Sequence, residues 1–252
     1  MKSLFLAWQA PESTAHSRAW FPVGRLDAEP QSHSYSFRYT KGALSAQEMV
    51  GFEPLLAFPK FDEVYQSSEL FPLFKNRVLS PKRKDFEEYI NWLNLENGEG
   101  IPDPIEILSV SGGERQTDSL EVFPKVNTDS QGNFKVRFFL HGLRHLGAKA
   151  IERAGRLQVG EQLRVFVELN NPATRIAVSL MSEDYEMIGW APRYLVDDLV
   201  RCVPTAPELS AVVARINPDA APFNQRIMID YSGRAPAGQE PMSTPDFQPL
   251  IG

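Results

Sequence analysis

Four histidines, one cysteine and a few paired carboxylates and glycines are the residues whose types could do chemistry in this chain. His16, His33, His141 and His145 would hold zinc only with two or three ligands at helical or turn spacing, helped by carboxylate or cysteine. His141 and His145 stand four apart in "HGLRH", but Gly142 and the strand-like run before it oppose a helix, and the H-E-x-x-H form is absent. No metal site is expected. Gly112-Gly113 in "SVSGGERQTDS" fits neither G-x-x-x-x-G-K-[ST] nor G-x-G-x-x-G, so it reads as a turn between two strands rather than a phosphate cradle. There is no G-x-S-x-G elbow and no kinase H-R-D or D-F-G set. Cys202 ends an apolar helical run and reads as packing, and Asp197-Asp198 fall on the solvent face of the same helix. These residues support no catalysis. The expectation is a protein that is not an enzyme and carries no cofactor.

One charge pattern remains. The net charge is −6, which does not advertise nucleic-acid binding. Residues 131–160 nevertheless carry Lys135, Arg137, Arg144, Lys149, Arg153 and Arg156 against Glu152 alone, a local charge of +5. Such a stripe is compatible with a local phosphate site or with scattered solvated charge.

The elements that must position these groups are short. A chain of 252 residues suggests one large or two modest domains, and 20 prolines with 16 glycines favour strands and turns over long helices. One cysteine excludes a disulfide frame. The apolar run Leu4 to Trp8 is too short for a signal core, and no window approaches the ~18 apolar residues of a membrane span. A cytoplasmic protein without a membrane partner is expected.

"SLFLAW", "AWFPVGRL" and "YSFRYTKG" read as strands, the last with Tyr35, Phe37 and Tyr39 on one face. "SSELFPLFKNRVL" places Leu70, Leu73, Phe74 and Val78 at helical spacing, and "DFEEYINWLNL" predicts a helix capped by Asp85. "ENGEGIPDP" reads as a boundary. "IEILSVSGG", "SLEVFPKV", "FKVRFFLHGL", "GEQLRVFVEL", "TRIAVSLM", "SAVVARIN" and "FNQRIMIDYS" read as strands. "RYLVDDLVRC" reads as a helix burying Tyr194, Leu195, Leu199 and Val200.

The stretch from Phe138 to Val203, within residues 131–205, resembles the HIRAN family. It has a Gly-x-Arg turn in "FFLHGLRHL", Gly160 before a strand, the Asn170-Asn171-Pro172 corner, Ala177-Val178, and Ile188-Gly189 before a helix. The resemblance implies a small SH3- or OB-like β-barrel. In helicase-type members that barrel binds the 3′ end of single-stranded DNA. Carried over by position, Arg144 would hold a phosphate, His145 would take the aromatic platform, and Asn170, Asn171 and Pro172 would receive the end nucleotide. Arg175 would be a further contact, and Lys135 and Arg137 would supply an outer phosphate field. Ala173, Thr174 and Ile176 stand where DNA-end binders keep Tyr, Asp and Asn.

Residues Val23 to Leu79 resemble the N-terminal subdomain of the HipA toxin kinases, through "VGRL", "YSFRY", "PLLAFP" and "ELFPLFKNRVL". No kinase core accompanies them.

The expected fold is thus α+β and β-rich. A HipA-N-like β-sheet domain with two helices spans 1–95, and a linker 96–103. A HIRAN-like β-barrel spans 104–235, and a proline-rich tail 236–252 lies extended on the surface. The expected function is a non-enzymatic nucleic-acid-binding adaptor for single-stranded DNA or DNA 3′ ends, working with a DNA-processing enzyme. The alternative is a protein-interaction regulator of a HipA-like kinase that does not bind DNA.

Overall fold

A computed structural model describes residues 2–12, 19–95, 100–115 and 117–251. His16 and residues 96–99 of the expected linker lie outside them. The chain is α+β and β-rich, with two antiparallel sheets in two compact units. The first unit comprises Met1–Lys125 with Met242–Gly252, and the second Val126–Pro241. The division therefore falls at Lys125 and Val126, after the expected linker. The physical reason is pairing: the strand Leu120–Pro124 hydrogen-bonds to Lys2–Gln9 and cannot leave that sheet.

In the first unit, β1 (Lys2–Gln9), β2 (Trp20–Glu29) and β3 (Ser34–Tyr39) lead into helix α1 (Lys41–Val50), strand β4 (Tyr65–Ser67), helices α2 (Pro72–Lys75), α3 (Phe86–Trp92) and α4 (Pro104–Ser111), and strand β5 (Leu120–Pro124). The sheet order is β4-β3-β2-β1-β5. The period-two pattern of β3 is realised in its core. Phe37 stacks on Phe58 at 3.9 Å, and the Tyr39 hydroxyl donates to the Phe58 carbonyl at 2.7 Å.

Several expectations change. "SSELFPLFKNRVL" forms only the single turn of α2, because Pro72 can sit only at a helix start and Arg77 buries its guanidinium against the Gly113 carbonyl and Asp118. Asp85 does not cap α3 with its side chain. It pairs with Arg83 at 2.8 Å instead. "IEILSVSGG" is a helix, not a strand. Asp103 accepts from the Ile105 amide at 2.8 Å, Pro104 opens the first turn, and Gly112 closes the end in the left-handed region. "TKG" begins α1 rather than extending β3. The tail is not a loose surface strand. Phe247 sits edge-on to Phe5 at 4.9 Å, and the Leu250 amide donates to the Tyr39 carbonyl at 2.9 Å. An aromatic ring with an apolar sheet face to cover gains more by docking than by solvation.

The second unit runs β6 (Asn133–Phe139), α5 (Ala148–Ala154), β7 (Gln162–Asn171), β8 (Arg175–Met181), β9 (Met187–Trp190), α6 (Arg193–Arg201), β10 (Ser210–Ile216) and β11 (Ile227–Arg234). The order is β6-β11-β10-β7-β8-β9. The expected barrel is not closed by a ladder. Beyond the end of β6, His141 exchanges two backbone hydrogen bonds with Trp190 of β9, at 2.9 and 3.0 Å. Gly142, at φ +80°, then turns the chain away. In α6 the buried stripe is Leu195, Val196 and Leu199, with Tyr194 and Val200 only partly covered.

Candidate nucleic-acid interface

The site is built on the β7–β8 hairpin and the turns beside it. Alternation along "RVFVE" places Arg164, Phe166 and Glu168 on one face of β7, opposite Met181, Ser179 and Ala177 of β8. Ser179 in turn lies opposite Trp190 of β9. The Trp190 indole N–H donates to Glu168 Oε1 at 2.9 Å, and Asn171 Nδ2 donates to Glu168 Oε2 at 2.7 Å. One carboxylate thus ties the asparagine corner to the tryptophan.

The corner is an Asx turn. Asn171 Oδ1 accepts from the amides of Ala173 and Thr174 and from the Thr174 hydroxyl, at 3.0, 3.1 and 3.1 Å. Asn171 therefore spends most of its hydrogen-bonding capacity on the fold, whereas Asn170 is exposed. Arg175 follows in the left-handed region at φ +64°, with its side chain exposed.

On the other side of Trp190 lies the "HGLRH" turn. A Cβ on Gly142 would stand 2.3 Å from Trp190 Cε3, so only glycine lets this turn close on the indole. Gly189, at φ +154°, likewise leaves room for the His141 carbonyl, which a Cβ would approach to 2.8 Å. Buried Leu143 anchors the turn and leaves Arg144 and His145 exposed, with Arg144 Nε donating to His145 Nε2 at 3.1 Å. The Gly142–His145 turn and the Asn170–Pro172 corner thus meet through Trp190 and Glu168.

The basic stripe looks different in three dimensions. Lys135 and Arg137 share Asp230, at 3.1 and 2.6 Å, and Arg137's hydrogen bonds hold that carboxyl below the usual range. Lys149 pairs with Glu186, and Arg153 with Glu161 and Asp184. The Asp184 carboxyl is lowered to about 2 by the Ser182 hydroxyl and then by Arg153. Arg156 reaches Glu152 at 3.9 Å. Five carboxylates against six cations leave one positive charge, and Arg144 is the cation of the six with no carboxylate partner among the described residues.

The structure also brings forward residues that charge counting passes over. Tyr185, in the β8–β9 turn, is 61% exposed and held at φ +62°, a conformation rare for a bulky side chain. The Arg164 guanidinium lies over its ring at 4.8 Å, and Phe166 meets it edge-on at 6.4 Å. The turn is fixed by its neighbours: the Tyr185 amide donates to the Ser182 carbonyl at 3.0 Å, and Asp184 is held by Arg153. The period-two alternation of "RVFVE" carried the signal for Arg164, Phe166 and Glu168. Nothing local signalled Tyr185.

None of the seven expected contact residues lines the concavity on α6 formed by Phe134, Val136, Leu195, Leu199 and Cys202. Burial pushes the Cys202 thiol up to about 11, as suits packing rather than reactivity. Among the described residues no three His, Cys, Asp or Glu side chains gather as a metal set, and no helix is long and apolar enough to cross a membrane.

No protein-family model and no curated protein matches the chain. Two solved structures are similar to part of it. One is a protein from Lactobacillus plantarum, at 16% identity and TM-score 0.33, covering 42% of this chain and 100% of that one. The other is the HIRAN domain of human HLTF, at 15% identity and TM-score 0.30, covering 42% of this chain and 84% of that one.

Proposed function

We propose that the second unit binds single-stranded nucleic acid along the Arg164–Phe166–Glu168 face of β7 and delivers it, without chemistry of its own, to a partner enzyme. The observation that carries the reading is the exposed Tyr185 ring with Arg164 above it and Phe166 beside it. Aromatic rings stack on any base, at ~1–3 kcal/mol per base, while arginines hold the phosphates. Residues two apart on one strand face are about 6.6 Å apart, so an extended single strand can follow β7 residue by residue. Arg144, Arg164 and Arg175, which lack carboxylate partners among the described residues, supply the phosphate contacts. Asn170 and Pro172 shape the end of the track. The corner lacks the stacking and carboxylate side chains of DNA-end binders at Ala173 and Thr174, so recognition here is of a strand rather than of its terminal hydroxyl.

The test is a fluorescence-anisotropy titration of labelled oligo-dT at ~50 mM salt, where phosphate contacts are strongest. Wild type should bind, Tyr185→Ala should weaken binding ~5- to 100-fold, and Arg144→Ala should weaken it further. A wild type that fails to bind, or a Tyr185→Ala protein that binds as wild type does, overturns the reading.

A further inference from the structure

We propose that two copies of this chain associate through the open edge of β7, pairing Val165–Leu169 antiparallel about a two-fold axis at Val167.

The edge is defined by hydrogen bonds. The Val213 amide donates to the Glu161 carbonyl, and Ala211 pairs with Leu163, so odd-numbered residues of β7 direct their backbone groups toward β10. The alternation continues, and β8 supports it: Val178 faces β9, since its carbonyl accepts from the Ala191 amide, which leaves Ala177 and Ser179 facing even-numbered residues of β7. The β7–β10 register stops at Leu163. Beyond it the N–H and C=O groups of Val165 and Val167 point away from β8, and no described strand lies against them.

The side chains along this edge emerge from the core. Leu163 is buried, Val165 is half-buried, Val167 is 36% exposed and Leu169 is 69% exposed, with Phe166 and Ile176 also exposed. Edge strands are ordinarily protected by lysine, proline or shortness. The segment Arg164–Leu169 contains neither lysine nor proline.

The occupant that fits is a second copy. About Val167, the two-fold pairs Val165 with Leu169 of the second copy and Val167 with its counterpart, all apolar and on one face. On the other face Arg164 and Phe166 reach Tyr185 of the β8–β9 turn and the Glu168 carboxylate is taken by Trp190 and Asn171, so these charges are engaged within one copy and none is set against the other. One arginine and one glutamate make the segment neutral, so two copies do not repel. The register with β8 breaks between Glu168 and Asn171, so the pairing ends at Leu169. A contact this short belongs to the small, concentration-dependent class of interfaces.

The test is sedimentation of the full chain in the ultracentrifuge over a wide concentration range, with amide hydrogen exchange at Val165 and Val167. A monomer–dimer equilibrium is expected, with both amides slowing as the dimer fills. Val167→Pro removes an edge-facing N–H without costing a bond to β8, and should weaken the dimer ~10- to 100-fold. Leu169→Lys does the same by charge if proline disturbs the strand. A wild type that stays monomeric at all concentrations, or a dimer that survives both substitutions, overturns the proposal.

Discussion

The pairing of the basic stripe sets how binding should respond to salt. For single strands the logarithm of the binding constant falls with the logarithm of salt at a slope of about −0.7 per neutralised phosphate. Three arginines, Arg144, Arg164 and Arg175, are without carboxylate partners among the described residues. If these alone contact phosphate, the slope is about −2, and affinity falls ~20-fold between ~50 and ~200 mM salt. If all six cations of the stripe joined Arg164 and Arg175, the slope would be about −5.6 and the fall ~2,000-fold. The perturbation is therefore salt itself, followed in wild type, Arg164→Ala and Arg137→Ala by oligo-dT anisotropy. Arg164→Ala should flatten the slope by about 0.7. Arg137→Ala should leave it unchanged, because Asp230 already occupies that guanidinium through Nε at 2.6 Å. A wild-type slope steeper than about −4, or flattening by Arg137→Ala equal to that of Arg164→Ala, would show that the ion pairs open on binding and refute the argument.

Two further outcomes follow from packing and burial. Gly142→Ala should destabilise the second unit by ~2–5 kcal/mol in urea unfolding, from ~1–2 kcal/mol of left-handed backbone strain and ~1–3 kcal/mol of crowding against Trp190. In a Trp190→Phe background, which itself gives up the indole bond to Glu168, the cost of Gly142→Ala should fall to the backbone strain alone, and a loss below ~1 kcal/mol for Gly142→Ala in wild type would refute the close contact. Glu121 is buried, its Oε2 has no hydrogen-bond partner, and burial followed by the charge of Glu114 raises its pKa well above 4.5. A carboxyl whose folded pKa is raised stabilises the fold below the unfolded pKa and costs stability as pH rises above it, by up to ~1.4 kcal/mol per pH unit. Glu121→Gln should therefore match wild type near pH 4 and gain on it toward pH 8 in thermal unfolding. Parallel pH profiles would show that the carboxyl is not buried in this way.

Local pattern was enough wherever one residue's neighbours decide its state. The alternation of Tyr35, Phe37 and Tyr39, the runs of β6 to β8, the Asn-Asn-Pro corner and the permissive Gly189 of β9 are all legible, because period two and turn chemistry act within a few residues. The start and stop of α4 were also written in "DP" and "GG", but the β-branched run between them outweighed them; propensity is a weak prior, and a capped end with tertiary burial overrode it. Tertiary structure alone decided the charge of the site. Asp230 lies 93 residues from Arg137, and no window along the chain can join them. It also decided that the tail docks through Phe247, that His141 and Trp190 form the bridge between the two ends of the second sheet, and that Tyr185 stands out beneath Arg164. The sequence by itself determined most of the strands and the turns between them, because those are short-range steric preferences; the strand-like run that became α4 is the exception. Which charges cancel and which ring stays exposed required the fold, because an ion pair or a stacked ring depends on groups brought together only when distant strands align.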